Sequence, residues 1–234
     1  MPSVDAHDRR LHLALLAAGL GVLAWSGYRP FDRFVWFLEV VPALVGGVAL
    51  VALHRRFRFT NLVYTLILLH AIILMIGGKY TYAEMPLFNW LRDEFGLARN
   101  YYDRVGHFAQ GFVPAMIARE ILLRREVVRG RGWLFFLVCC CALALSATYE
   151  FFEWWVAVAS GTAADAFLAT QGDVWDTQWD MFLALCGSVA AQLLLSRRHD
   201  RELASLAPAR GKAQVGRRLP MGAAGAAPHG DKRM

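Results

Sequence analysis

Apolar residues along this chain gather into blocks about as long as a bilayer is thick, and they predict six helices near residues 11–28, 34–53, 61–78, 104–123, 133–157 and 179–196. The first three blocks are almost unbroken, whereas the later three carry polar side chains inside them. A helix rises about 1.5 Å per residue, so a crossing needs about 20 residues, and this length leaves room for about six crossings joined by short loops. The expected fold is all-α, a polytopic transmembrane helical bundle of about six helices occupying residues 1–202 as one domain. Residues 203–234, rich in Ala, Gly, Pro and Arg without a helical stripe, read as a disordered basic cytoplasmic tail.

Charge sets the direction of the bundle. Arg9 and Arg10, then Arg55, Arg56 and Arg58, then Arg124, Arg125, Arg129 and Arg131, then Arg197, Arg198 and Arg201 fall on one side. The other side offers Arg29 and Arg33, then Lys79, Arg92, Arg99 and Arg104, and no cation in the last connection. The positive-inside bias predicts that both the N- and C-termini are cytoplasmic and that the acid-rich connection before the last helix faces outward. Composition agrees, because 57% hydrophobic residues and a mean hydropathy of +0.36 exceed what a soluble domain carries. The net charge of +6 sits mainly in segments flanking apolar runs and in the tail, so it reports topology and not a nucleic-acid footprint. The lipid bilayer is the implied partner, nucleic acid is not, and a homo-oligomer is compatible with such a bundle.

The first helix follows Asp8-Arg9-Arg10 but shows no small-x-small cleavage site before Tyr28, so it is expected to be retained rather than removed as a signal peptide. The cysteines Cys139, Cys140, Cys141 and Cys186 lie inside predicted spans. Consecutive helical residues point about 100° apart, which is wrong for ligands of one zinc ion, so core packing is expected.

From Gly132 to Ser196 the chain has no Lys, Arg or His, yet it contains Glu150, Glu153, Asp165, Asp173, Asp176 and Asp180. A carboxylate at bilayer depth is costly unless it is protonated, paired or bound to a cation. Helix four enters from the same side with Asp103 and His107 four residues apart on one face. Glu150 and Glu153 share a face at the end of helix five, and Asp173, Asp176 and Asp180 align at the start of helix six. Asp103, His107, Glu150, Glu153, Asp173, Asp176 and Asp180 are therefore expected to converge in one outward-facing site. Arg99, Arg104 or shared protons can offset their charge, but a divalent metal held by one His and several carboxylates offsets it best, and all seven are candidate metal ligands. His107 and Glu150 are the candidate catalytic bases. Glu39 and His70 are read as a buried hydrogen-bonding pair or protonated interior groups outside the site, and Trp154, Trp155, Trp175 and Trp179 as interfacial anchors. The loop from Lys79 to Tyr102 is expected to lie along the membrane surface.

The segments Tyr102-Asp103-Arg104-Val105-Gly106-His107-Phe108-Ala109-Gln110-Gly111, Tyr149-Glu150-Phe151-Phe152-Glu153-Trp154 and Thr170-Gln171-Gly172-Asp173-Val174-Trp175-Asp176-Thr177-Gln178-Trp179-Asp180-Met181 resemble the YjdF family of bacterial inner-membrane proteins. The likeness takes in Tyr80 to Trp90 and covers most of residues 30–196. It implies a multi-pass protein of the bacterial inner (plasma) membrane and specifies no substrate. A weaker similarity runs to the VanZ-like envelope proteins through Asp103, His107, Phe108, Glu150, Asp180 and Gly187. Ala184 stands where that pattern has Asn, and Glu153 where it has Gln.

Three functional classes remain. The first is a divalent-metal-dependent hydrolase or transferase acting on an envelope or lipid-linked substrate. A proton- or cation-coupled transporter is the second, weakened because acids gather at one side and the two halves show little internal repeat. The third is a structural or regulatory membrane protein whose buried polar pairs only fix helix packing.

Overall fold

The computed structural model describes residues 6–161 and 165–206, with Asp165 and Ala166 described by their backbone alone. The elements are α1 (Ala6–Gly27), α2 (Arg33–Leu53), α3 (Asn61–Tyr80), a 3-10 turn (Tyr82–Glu84), α4 (Pro86–Phe95), α5 (Tyr102–Arg124), α6 (Arg131–Ser160), α7 (Asp165–Leu168) and α8 (Asp176–Leu206). The six long helices correspond to the six apolar blocks, and no strand occurs among the described residues. The short α4 and α7 fall in stretches expected to be loops. The last helix continues past Ser196, through the arginines, to Leu206. Residues 207–234, most of the expected tail, lie outside the described residues.

Local chemistry sets the helix ends. The Asp32 carboxylate accepts from the Phe34 and Val35 amides at 2.7 and 2.9 Å, capping α2. Thr60 caps α3, and α4 runs from Pro86 in its first turn to Gly96, whose φ of 60° is the left-handed helix stop.

Among the described residues, α1, α2, α3, α6 and α8 are long and apolar enough to cross a membrane. The sixth long helix, α5, is more polar, carrying Asp103, Arg104, His107, Gln110, Arg119 and Glu120. It is tolerated because it occupies the middle of the bundle, packed on α8, α6 and α3, so its polar groups face protein. α1 lies at the edge against α3.

Contact between α5 and α8 is closest. A Cβ on Gly111 would land on the Ala184 carbonyl, and one on Gly187 would land on the Phe108 carbonyl, so the two helices cross backbone to backbone. Below the crossing lies an apolar layer that includes Val63, Ala115, Met116, Val138 and Ala191.

Both termini of the described chain reach one end of the bundle. There Asp8 accepts from Asn61 at 2.9 Å and Glu202 accepts from the Leu62 amide at 2.8 Å. This end also buries Glu120 completely. Its carboxylate accepts from the Thr60 hydroxyl at 2.8 Å and from Arg124 at 2.8 Å, and lies 3.0 Å from His199 Nε2. Arg119 continues the network to His199 and Asp200, both at 2.7 Å. α3, α5 and α8 are thus tied by charge where the loops carry most arginines.

Two stability predictions follow from this packing, each read by thermal unfolding of detergent-purified protein. Gly111→Val forces α5 and α8 apart and costs roughly 1–3 kcal/mol or more, while Gly47→Ala, inside α2 with nothing within 4 Å, does not lower the midpoint. Glu120→Ala strands His199, Arg124 and Thr60 without their shared acceptor and costs about 3–5 kcal/mol.

Candidate functional site

All seven expected acidic and imidazole residues reach the other end of the bundle, but they divide into two groups. Asp173, Asp176 and Asp180 are met by Arg99, just before α5, and by Arg104, in its first turn. Arg99 donates to Asp176 at 2.6 Å and to the Ala169 carbonyl at 2.8 Å. Arg104 donates to Asp176 at 2.7 Å, to Asp173 at 3.0 Å and to Asp180. Asp103 lies 3.5 Å from both guanidinium groups. The salt bridges that ranked below a metal in the sequence are therefore present, and they are dense.

This clamp rests on a built loop. Asn100 and Gln171 exchange hydrogen bonds, amide to side chain and side chain to carbonyl, both at 2.9 Å. Asn100 also donates to the Met85 carbonyl at 3.0 Å and to Asn89 at 2.8 Å, anchoring α4. Ala169 and Gln171 hold φ near 50°, a left-handed conformation uncommon for residues with a Cβ, which the contacts to Arg99 and Asn100 sustain.

Beside the clamp lies a cavity of about 230 Å³ between α2, α3, α5 and α6. Its polar lining includes Glu39, His70, Asp103, His107, Gln110, Tyr149 and Glu153. His107 is the link between clamp and cavity: its Nε2 is 3.3 Å from Asp103 and 3.8 Å from Asp180, and its Nδ1 is 3.8 Å from Glu150. Asp103, His107 and Asp180 each offer a donor atom within 4.8 Å of the others, and all three are buried. Asp173, Asp176, Glu150 and Glu153 stand outside that three-donor group.

Glu39 and His70, expected to lie outside the site, both line the cavity. Tyr82, from the 3-10 turn, and Tyr149 join them. Burial, with the Glu39 carboxyl beside it, pushes the Tyr82 phenol well above its ordinary value, so it remains a hydroxyl. No motif spacing marks these residues; the signal available was an ionisable side chain in each of two otherwise apolar blocks. Trp154, Trp155, Trp175 and Trp179 are exposed at this end of the bundle, as interfacial anchors require.

At the loop end the cavity is walled by Tyr82, Asp103 and Phe167, all buried. Its exposed lining residues are Leu145 and Thr148, midway along α6. Phe167 wedges between Val35 and Leu38 of α2 and Phe152 and Val156 of α6.

The sequence profile of the family described as "Predicted membrane protein (DUF2238)" matches residues 11–201, nearly all of the helical bundle. The chain is 53% identical over 182 residues to the Inner membrane protein YjdF of Escherichia coli (strain K12), covering 78% of this chain and 87% of that protein. No solved structure matches it. With five apolar spans around a polar central helix, this chain is a multi-pass inner-membrane protein that belongs to the DUF2238 family, to which the sequence likeness to YjdF had pointed.

Proposed function

We propose that the cavity is an enzyme site on the extracytoplasmic side, where His107 moves a proton during hydrolysis or group transfer on an envelope or lipid-linked substrate. The orientation rests on the positive-inside bias, which assigns the arginine-rich end and both termini to the cytoplasm. The observation that carries the site is a set of buried polar atoms without partners beside the arginine–aspartate clamp. His107 Nδ1, His70 Nε2 and Gln110 Oε1 have no hydrogen-bond partner, and all three belong to the cavity wall. Leaving such an atom unpaired costs about 1–3 kcal/mol, which a polar ligand would recover.

In this reading Asp103 orients the imidazole through Nε2, and Nδ1 is the atom that takes the proton. It accepts a proton from an attacking water or hydroxyl as the new bond to the transferred group forms. It returns that proton to the leaving atom as the old bond breaks. Glu150, facing Nδ1, stabilises the imidazolium between the two steps. Arg99 and Arg104 hold the flanking aspartates so that Asp103 stays beside His107.

Transport is the weaker reading. Between His107 and the Glu120 network, α5 buries Val113, Ala115 and Met116, none of which lines the cavity. A metal-assisted version of the enzyme reading has one specific support, the Asp103, His107 and Asp180 donors, which suit zinc, manganese or iron. Such a cation would compete with Arg104 for Asp180.

Two measurements test this. In a strain lacking the protein, wild type should restore the envelope lipid and glycan profile while His107→Ala and Asp103→Asn do not, a loss of about 100-fold or more in turnover; full restoration by a folded His107→Ala overturns the proposal. Elemental analysis of purified protein decides the metal version. That version predicts near-stoichiometric metal lost in Asp180→Asn and His107→Ala but kept in Asp176→Asn, whose carboxylate belongs to the arginines; metal-free wild type that restores the profile excludes it.

A further inference from the structure

We infer that the substrate of this site is a membrane lipid that enters sideways, between α2 and α6, and places a head group rich in hydrogen-bond donors in the cavity. The inference rests on the cavity being the working site and adds the route and the ligand chemistry. Among the described residues, the lining at the loop end is buried, with Tyr82 5% and Phe167 2% exposed, whereas Leu145, midway along α6, is 47% exposed. The opening therefore lies at the depth of the hydrocarbon and not at the aqueous surface. α2 packs on α3, and α6 packs on α5 and α8, while α2 and α6 are bridged at the loop end by Phe167. Below that wedge the two helices are not zipped together, and the edge helix α1 lies against α3, away from the gap.

The wall selects the head group. Glu39, Asp103 and Glu153 line the cavity with the imidazoles of His70 and His107, the latter set against Asp103, Glu150 and Asp180, while Arg99 and Arg104 lie outside the lining and are engaged by aspartates. A bare phosphate monoester would lie among acidic side chains, while hydroxyls or an ammonium would meet acceptors, including the unpartnered Gln110 Oε1. The volume of about 230 Å³ holds a polar head, and the acyl chains remain in the bilayer through the α2–α6 gap.

The test uses full-length protein in vesicles of phosphatidylcholine, whose quaternary head group donates no hydrogen bond, with a trace phosphatidylethanolamine probe carrying a photoactivatable acyl chain and crosslinks mapped by mass spectrometry. Crosslinks should concentrate on the peptides around Pro42 and Leu145 and fall about tenfold in Leu145→Trp, which plugs the gap, but not in Phe136→Trp on the opposite face of α6. A phosphatidic acid probe with the same chain should label this site about tenfold more weakly. Uniform labelling of all lipid-facing helices, equal labelling by phosphatidic acid, or an unchanged pattern in Leu145→Trp overturns the inference. Should Leu145→Trp fail to fold, excess unlabelled phosphatidylethanolamine replaces it: competition confined to these two peptides supports the route, and no competition overturns it. His107→Ala should keep the crosslink while losing envelope restoration. If the crosslink fails but His107→Ala still loses restoration, the route is wrong and the acid–base site stands; if His107→Ala restores fully, the site itself is wrong.

Discussion

Two guanidinium groups held against four aspartates organise this molecule. Asp103, Asp173, Asp176 and Asp180 come from the start of α5, the loop after α7 and the first turns of α8, and each lies within salt-bridge distance of Arg99, Arg104 or both. Without the arginines these carboxyls would repel one another in a poorly solvated setting, and α5 and α8 could not begin side by side. With them, the most polar helix can occupy the centre of a membrane bundle. The same pairing leaves His107 facing a cavity in which His70 Nε2 and Gln110 Oε1 also lack partners, which is where chemistry can occur.

The opposite end solves a similar problem differently. Glu120, His199 and Arg119 are buried, and the principal polar atoms of Glu120 are met by Thr60, Arg124 and His199. None of its residues lines the cavity beside His107, so it reads as a fastener for α3, α5 and α8. Between the two ends the helices approach through Gly111 and Gly187 and an apolar layer. The Glu120 network is thus closed on itself, whereas unpartnered His107, His70 and Gln110 atoms share one cavity, and that cavity is the candidate for function.

The helices and their alternation were legible from apolar blocks, because bilayer thickness imposes a length that few other constraints mimic. The convergence of Asp103, His107, Glu150 and Asp180 was legible too, since helix direction and spacing fix depth and face. The dominance of Arg99 and Arg104 was not: their partners lie some seventy residues away in sequence, at Asp173 and Asp176, and no local pattern reports such a pairing. Glu39 and His70 were visible as ionisable residues in apolar helices, but which neighbours they would meet depends on helix rotation, which hydrophobicity alone leaves open when a helix is apolar all round. Glu120 was masked by the basic residues that follow it, although a charged Arg119-Glu120 pair inside an apolar run was the available sign.

The most direct test of this account is a double-mutant cycle between Arg104 and Asp180, read as unfolding free energy of the purified protein. Arg104→Met alone leaves buried carboxyls uncompensated and Asp180→Asn alone leaves a buried guanidinium short of a partner, so each single change should destabilise strongly. The pair together should be less harmful than the sum, with a coupling of about 1.5 kcal/mol or more. Additive losses would contradict the claim that these arginines neutralise the acidic cluster and hold the site together.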